Sequence, residues 1–106
     1  MNLAQTIYGV RFENPTVLAS GILGITASSW RRVARQEGAG AITTKSIWMR
    51  EHKGHPNPTI IQTEHWTLNA VGVPDAGPAK AREEIGAYME DKPAPLIVRF
   101  ALRLLV

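Results

Sequence analysis

The stretch "GAGAITTKS", residues 38–46, decides the fold. It can be read as a phosphate-cradling loop or as a strand that ends on a lysine. A Walker-type loop requires G-x-x-x-x-G-K-[ST], because the glycine before the lysine lets backbone N–H groups wrap the phosphates. Here Thr44 stands before Lys45 and Ala39 occupies the first glycine position, so both diagnostic glycines are missing. What remains, Ala41 to Thr44, is short, apolar and β-branched, and favours an extended chain. The stretch therefore predicts a strand with a cation, Lys45, at its C-terminal end, followed by Ser46.

Outward from this strand the chain alternates. On the N-terminal side, "TIYGVRF" (6–12) reads as two short extended pieces bent at Gly9 and stopped at Asn14 and Pro15, a small hairpin. "TVLAS" (16–20) is a continuous apolar run of the kind buried on both faces, broken at Gly21 and Gly24. Thr26 or Ser28 can cap a helix near 28–37, with Trp30, Val33 and Ala34 at helical spacing and Gly38 ending the pattern. On the C-terminal side, residues 47–78 hold Gly54, Pro56, Pro58, Gly72, Pro74, Gly77 and Pro78, which predicts a long irregular loop with at most a short turn of structure inside it. "AKAREEIGAYMED" (79–91) is a helix with Ala81, Ile85, Tyr88 and Met89 as its apolar stripe, and "APLIV" (94–98) is a third strand. Strands alternating with helices imply a parallel sheet, because each parallel connection needs a crossover. In such sheets functional groups gather at the C-terminal ends of the strands. Ser20 with Gly21, and Lys45 with Ser46, should then share one rim beneath the long loop.

Composition fits one ordinary soluble globular unit: 106 residues, 44% hydrophobic and 20% charged. A net charge of +3 raises nucleic acid as a partner, but the charges are scattered in mixed sign and only "WRRVAR" (30–35) is dense. Arg31, Arg32 and Arg35 are read as the wet face of a helix, and no nucleic acid is expected. The chain contains no cysteine, which excludes disulfides, zinc–cysteine sites and a cysteine nucleophile and agrees with a cytoplasmic protein. No charged and apolar leader precedes "MNLAQTIYGV" and no apolar run approaches ~18 residues, so neither secretion nor membrane association is expected. His52, His55 and His65 invite a metal reading, which fails because glycine and proline interrupt their presentation and no paired carboxylate completes a shell.

Four motifs in register, "NPTVLASG", "GAGAITTKS", "GHPNPT" and "LNAVGVPDAG", together with the hairpin, resemble the N-terminal third of the FMN-dependent dihydroorotate dehydrogenases of class 1, from about Tyr8 to Val98. The resemblance implies an α/β fold, the N-terminal portion of a TIM (β/α)8 barrel, and the oxidation of dihydroorotate to orotate in pyrimidine synthesis. It implies that Ala19, Ser20, Gly21, Lys45 and Ser46 bind FMN, and that Lys45 with Asn69, Ala70, Val71, Gly72 and Val73 lines the substrate site. It further implies a homo-oligomer. NAD⁺ reached through an electron-transfer subunit with FAD and an iron–sulfur cluster, fumarate, or another acceptor would each suit these residues. A fixed cation between a carboxylate substrate and a flavin gaining negative charge favours binding and the transition state alike, which Lys45 can supply. Asn69 offers a carbonyl and an NH₂ to an amide-like ring edge, and Gly21 and Gly72 permit close backbone approach.

Each role has a plainer counterpart: a solvated lysine at a strand end for Lys45, a turn residue for Asn69, a cap for Ser20, and for Trp48 and Trp66 either a lid, a subunit contact or the loop's own small core. The end departs from the family pattern. "RFALRLLV" carries Arg99 and Arg103 within an apolar run where the family turns through glycine, so residues 99–106 read as an atypical tail on a single incomplete domain spanning 1–106, with a truncated or frame-altered end. A barrel of this type needs more than about 200 residues. The catalytic base is expected outside this segment, and the isolated chain is expected to be inactive. The alternatives are a non-catalytic barrel fragment or interaction module built on exposed sheet edges, and a small basic nucleic-acid-binding domain.

Overall fold

A computed structural model describes residues 1–23 and 25–102. Gly24 and the last four residues of the atypical tail, 103–106, lie outside the described residues. The chain opens with a hairpin of β1 (Gln5–Ile7) and β2 (Val10–Phe12), paired antiparallel from Gln5 beside Phe12 to Ile7 beside Val10. Tyr8 and Gly9 both take positive φ, 50° and 76°, the two-residue turn whose twist suits a hairpin.

The central sheet contains β3 (Val17–Leu18), β4 (Ala41–Thr43) and β7 (Leu96–Ile97) in the order β3-β4-β7. Both pairings are parallel, with Leu18 beside Ile42 and Ile42 beside Leu96. The strands thus fall where the sequence pattern puts them, shortened at their ends. The crossovers are helical: α1 (Ala27–Gln36) joins β3 to β4, and α2 (Pro78–Met89) precedes β7. Thr26 caps α1, its Oγ1 accepting from the Ser29 N–H at 3.3 Å. Pro78 opens α2 at a position where its missing N–H costs nothing.

The core lies between the sheet and the helices. Trp30, Val33, Ile42 and Tyr88 are buried together with Ala27, and Leu18, Ile85 and Leu96 close around them. Tyr88 packs edge-on to Trp30, with ring centroids 5.9 Å apart, and its hydroxyl donates to the Ala94 carbonyl at 2.9 Å. Burial pushes that phenol upward in pKa. Glu84 ties the two helices, accepting from the Ala27 N–H at 2.8 Å at the positive end of α1 while pairing with Lys80. The Ala27 N–H, then Lys80, holds its carboxyl below the usual range. At the opposite end of the sheet Gly40 is pressed against Asn14, whose carbonyl oxygen would stand 2.1 Å from any Cβ there.

The long loop departs from expectation. It contains a second antiparallel hairpin, β5 (Ile60–Gln62) and β6 (Thr67–Asn69), with Ile61 beside Leu68. The density of proline and glycine on either side of it masks the β-branched "TII" as a local signal. Arg31 and Arg35 both bond Asp91, so two of the three arginines in the basic patch are spent on a contact between α1 and the end of α2. Among the described residues no helix is long and apolar enough to cross a membrane.

Candidate functional site

The register of the sheet positions the site. Lys45 and Ser46 follow β4, Ser20 and Gly21 follow β3, and Arg99 follows β7, all beyond the C-terminal ends of parallel strands. These five residues border one open recess of ≈ 350 Å³. Its other wall comes from the loop, where Asn69 ends β6 and Val71, Gly72, Val73 and Pro74 run beyond it. Ser46 is buried, whereas Lys45 and Ser20 are half-buried. The residue types that line the recess include two cations, an amide and two hydroxyls, and no acid.

Of the residues singled out in the sequence, Ser20, Gly21, Lys45, Ser46, Asn69, Val71, Gly72 and Val73 meet at this recess. Ala19 and Ala70 stand outside its lining. The Ala19 carbonyl accepts from the Ile22 N–H in the turn after β3, and the Ala70 N–H donates to the Thr59 carbonyl at 2.8 Å, extending the hairpin ladder. Gly21, at φ +79°, has open space where a Cβ would stand. Gly72 has an internal reason to be glycine as well: a Cβ would stand 2.5 Å from the ring of His55.

The loop wall is braced from below. The Trp48 indole N–H donates to the Val73 carbonyl at 3.2 Å, and the indole stacks on His52 with centroids 5.1 Å apart. His52 and Asp75 exchange both backbone hydrogen bonds, at 2.8 and 2.7 Å. The Asp75 carboxylate accepts from the N–H groups of Trp48 and Gly77 at 2.9 and 3.1 Å. The His55 N–H reaches the Val71 carbonyl at 3.2 Å. Trp48 therefore serves the loop's own core, while Trp66 is 54% exposed on the hairpin. Among the described residues no three His, Asp or Glu groups converge as a metal site.

Arg99 joins the site without having been marked by any sequence motif. β7 ends at Ile97, so strand alternation does not mark the side on which Arg99 emerges.

The family model described as dihydroorotate dehydrogenase matches residues 2–102. Among curated relatives, the dihydroorotate dehydrogenase B (NAD(+)) catalytic subunit of Methanosarcina mazei is 43% identical over 95 residues, covering 90% of this chain and 30% of the relative. The protein of the same description from Methanocaldococcus jannaschii is 48% identical over 83 residues, 78% of this chain and 27% of the relative. That of Thermococcus kodakarensis is 42% identical over 96 residues, 91% and 31%. Among solved structures, DHODH in complex with ferulenol from Eimeria tenella superposes with a TM-score of 0.77 at 22% identity, covering 92% of this chain and 28% of that one.

Proposed function

This chain belongs to the dihydroorotate dehydrogenase family, and from that premise we propose that its recess is part of the site at which an FMN-dependent barrel oxidises dihydroorotate to orotate in pyrimidine synthesis. The chain spans about 30% of the length of the curated relatives it matches, so the activity belongs to a complete barrel carrying these residues. One observation carries the proposal: eight residues drawn from three separate segments converge on a single recess beyond the strand ends, where barrels place their chemistry.

The residues suit a flavin. Gly21 leaves room beside the β3 turn, Ser20 and Ser46 offer hydroxyls, and Lys45 offers a cation without a carboxylate among the lining residues to neutralise it. When bound, FMN supplies the acceptor for a hydride. Lys45 holds a positive charge where negative charge develops, which lowers the barrier without rearrangement during the reaction. Asn69 binds the ring edge of the substrate, and the segment from Val71 to Val73, braced through Trp48, orients it. The relatives' names specify a catalytic subunit of the NAD(+)-linked B type. NAD⁺ as final acceptor, a separate electron-transfer subunit and a cytoplasmic location follow for this chain as part of the proposal.

The test is dihydroorotate-dependent reduction of an acceptor dye by a complete, FMN-loaded barrel containing these residues. Lys45→Ala should keep the yellow flavin and lose turnover by about 10²-fold or more. Near-normal turnover in that variant would remove Lys45 from the site.

A further inference from the structure

Past Thr43 beside Ile97 the ladder between β4 and β7 breaks, and it resumes one residue out of step, with Ile47 beside Phe100. Lys45 and Ser46 lie in this irregular stretch. Asp75 fastens it from the loop. Its Oδ2 accepts from the backbone N–H of Trp48 at 2.9 Å, just beyond Ser46 and Ile47, and from the Gly77 N–H at 3.1 Å at the start of α2. Its own backbone exchanges both hydrogen bonds with His52. One carboxylate oxygen thus ties the strand extension that carries Lys45 to the loop and to the second helix. Among the described residues Asp75 forms no ion pair, so the tie is made by hydrogen bonds.

What it holds is strained. Gly72 and Val73 take successive positive φ of 75° and 48°. Glycine adopts such a conformation freely, whereas a β-branched residue there is an outlier that persists only where its surroundings over-determine it. The Val73 side chain is 44% exposed and lines the recess, so its own packing does not force the conformation. Backbone contacts do. The Trp48 indole N–H donates to the Val73 carbonyl and the His55 N–H to the Val71 carbonyl, and Gly54 lies so close that a Cβ there would stand 2.5 Å from the Val71 oxygen. Trp48 can hold Val73 only while its own backbone is held, and the Asp75 carboxylate holds it.

We infer that Asp75 is a positioning residue of the recess: acting through Trp48, it keeps the strained wall from Val71 to Val73 in register with the segment bearing Lys45 and Ser46. The inference rests on the proposed function for what the wall binds, and on the hydrogen bonds alone for the brace.

The experiment measures hydrogen exchange in the 106-residue chain at two groups that report on the wall without touching the carboxylate, the Trp48 indole N–H and the His55 amide. Asp75→Ala should speed both by about tenfold, as for a lost charge-assisted acceptor. The Ile42 amide, bonded to the Pro95 carbonyl at 2.9 Å in the core sheet, should keep its rate. Because both N–H groups bond one oxygen, Asp75→Asn can keep both and should stay within about threefold of the parent. In a complete, FMN-loaded barrel Asp75→Ala should raise the KM for dihydroorotate about tenfold with flavin content unchanged, and Asp75→Asn should restore it. A merely structural role would lower the yield of active enzyme and leave KM where it was.

Unchanged exchange in Asp75→Ala would overturn the brace. Asp75→Asn as damaging as Asp75→Ala would overturn the hydrogen-bonding role, and loss of Ile42 protection, or faster exchange with an unchanged KM, would overturn positioning. If the parent barrel itself failed to turn over dihydroorotate, the proposed function would fall, and the exchange rates of the chain would still decide the brace.

Discussion

The two faces of the central sheet differ in how completely this chain covers them. Toward the helices, Ile42 is 0% exposed, packed with Trp30 and Tyr88, and Thr44 is 2% exposed. On the opposite, concave face the edge-strand residues Val17 and Ile97 are 48% and 42% exposed, while Ala41 of the central strand between them is 0% exposed, although all belong to the same strands or their immediate ends. A parallel sheet is normally buried on both sides, and in a barrel the inner face is filled by layers of side chains from alternate strands. The helix face is thus a finished core built from local crossovers. The concave face is one sector of a core whose other contributors are not among the described residues.

Substitution should expose that contrast most strongly at Tyr88. Tyr88→Ala removes a fully buried ring and is expected to cost about 3–5 kcal/mol in urea unfolding, whereas Ile97→Ala on the bare face should cost well under ~1 kcal/mol. Equal losses at the two positions would break the comparison. Lys45→Ala should show the reverse signature in a complete barrel. Turnover falls by about 10²-fold, near 2.7 kcal/mol of transition-state stabilisation, while the unfolding midpoint stays within experimental error. Asn69→Ala should weaken orotate by roughly 1 kcal/mol for each hydrogen bond lost, read from the dissociation constant.

Trp48→Phe keeps the stacking ring over His52 but removes the N–H that holds the Val73 carbonyl. It should raise amide exchange across residues 71–75 by about fivefold, as for the loss of one neutral hydrogen bond worth ~1 kcal/mol, and leave the helix core protected. The smallest effect concerns pH. The Glu84 carboxyl is depressed in the folded state, first by the Ala27 N–H and then by Lys80, so its contribution is present above the ordinary carboxylate range. It is lost as pH falls through the depressed value. Glu84→Gln should flatten that part of the acid-unfolding curve, and an unchanged slope would show that the contact between the helices does not depend on ionisation.

The helix face is also the part most legible in the amino-acid sequence. Thr26, Gly38 and Pro78 mark helix ends by local chemistry that tertiary contacts do not override, and the β-branched run before Lys45 forms the strand its composition favours. The recess is legible only in part. That Ser20, Lys45 and Ser46 share a rim follows from parallel pairing, which the alternation of strands and helices already implies. The position of Asn69 depends on the β5–β6 hairpin, and turn-rich flanks hide that hairpin because residues favouring loops and residues ending a short strand are the same types. The place of Arg99 depends on register across a bulge, a long-range property that no local pattern encodes.

Among the described residues the sheet order β3-β4-β7 leaves β3 and β7 each with one unpaired edge, and this has a kinetic meaning. A barrel closes only when its first strand meets its last, so in a complete barrel the outer edge of a strand placed as β3 is would be paired only after the last strand has been made. In such a barrel the outer edge of a strand placed as β7 is would, by contrast, accept the following strand as soon as that strand is made. Growth is therefore directional: strands join on the β7 side one by one at low loop-closure cost, while the β3 side stays a vacant seam whose sealing carries the largest entropy penalty of the whole fold. During that interval β3 is the edge most exposed to pairing with the wrong chain.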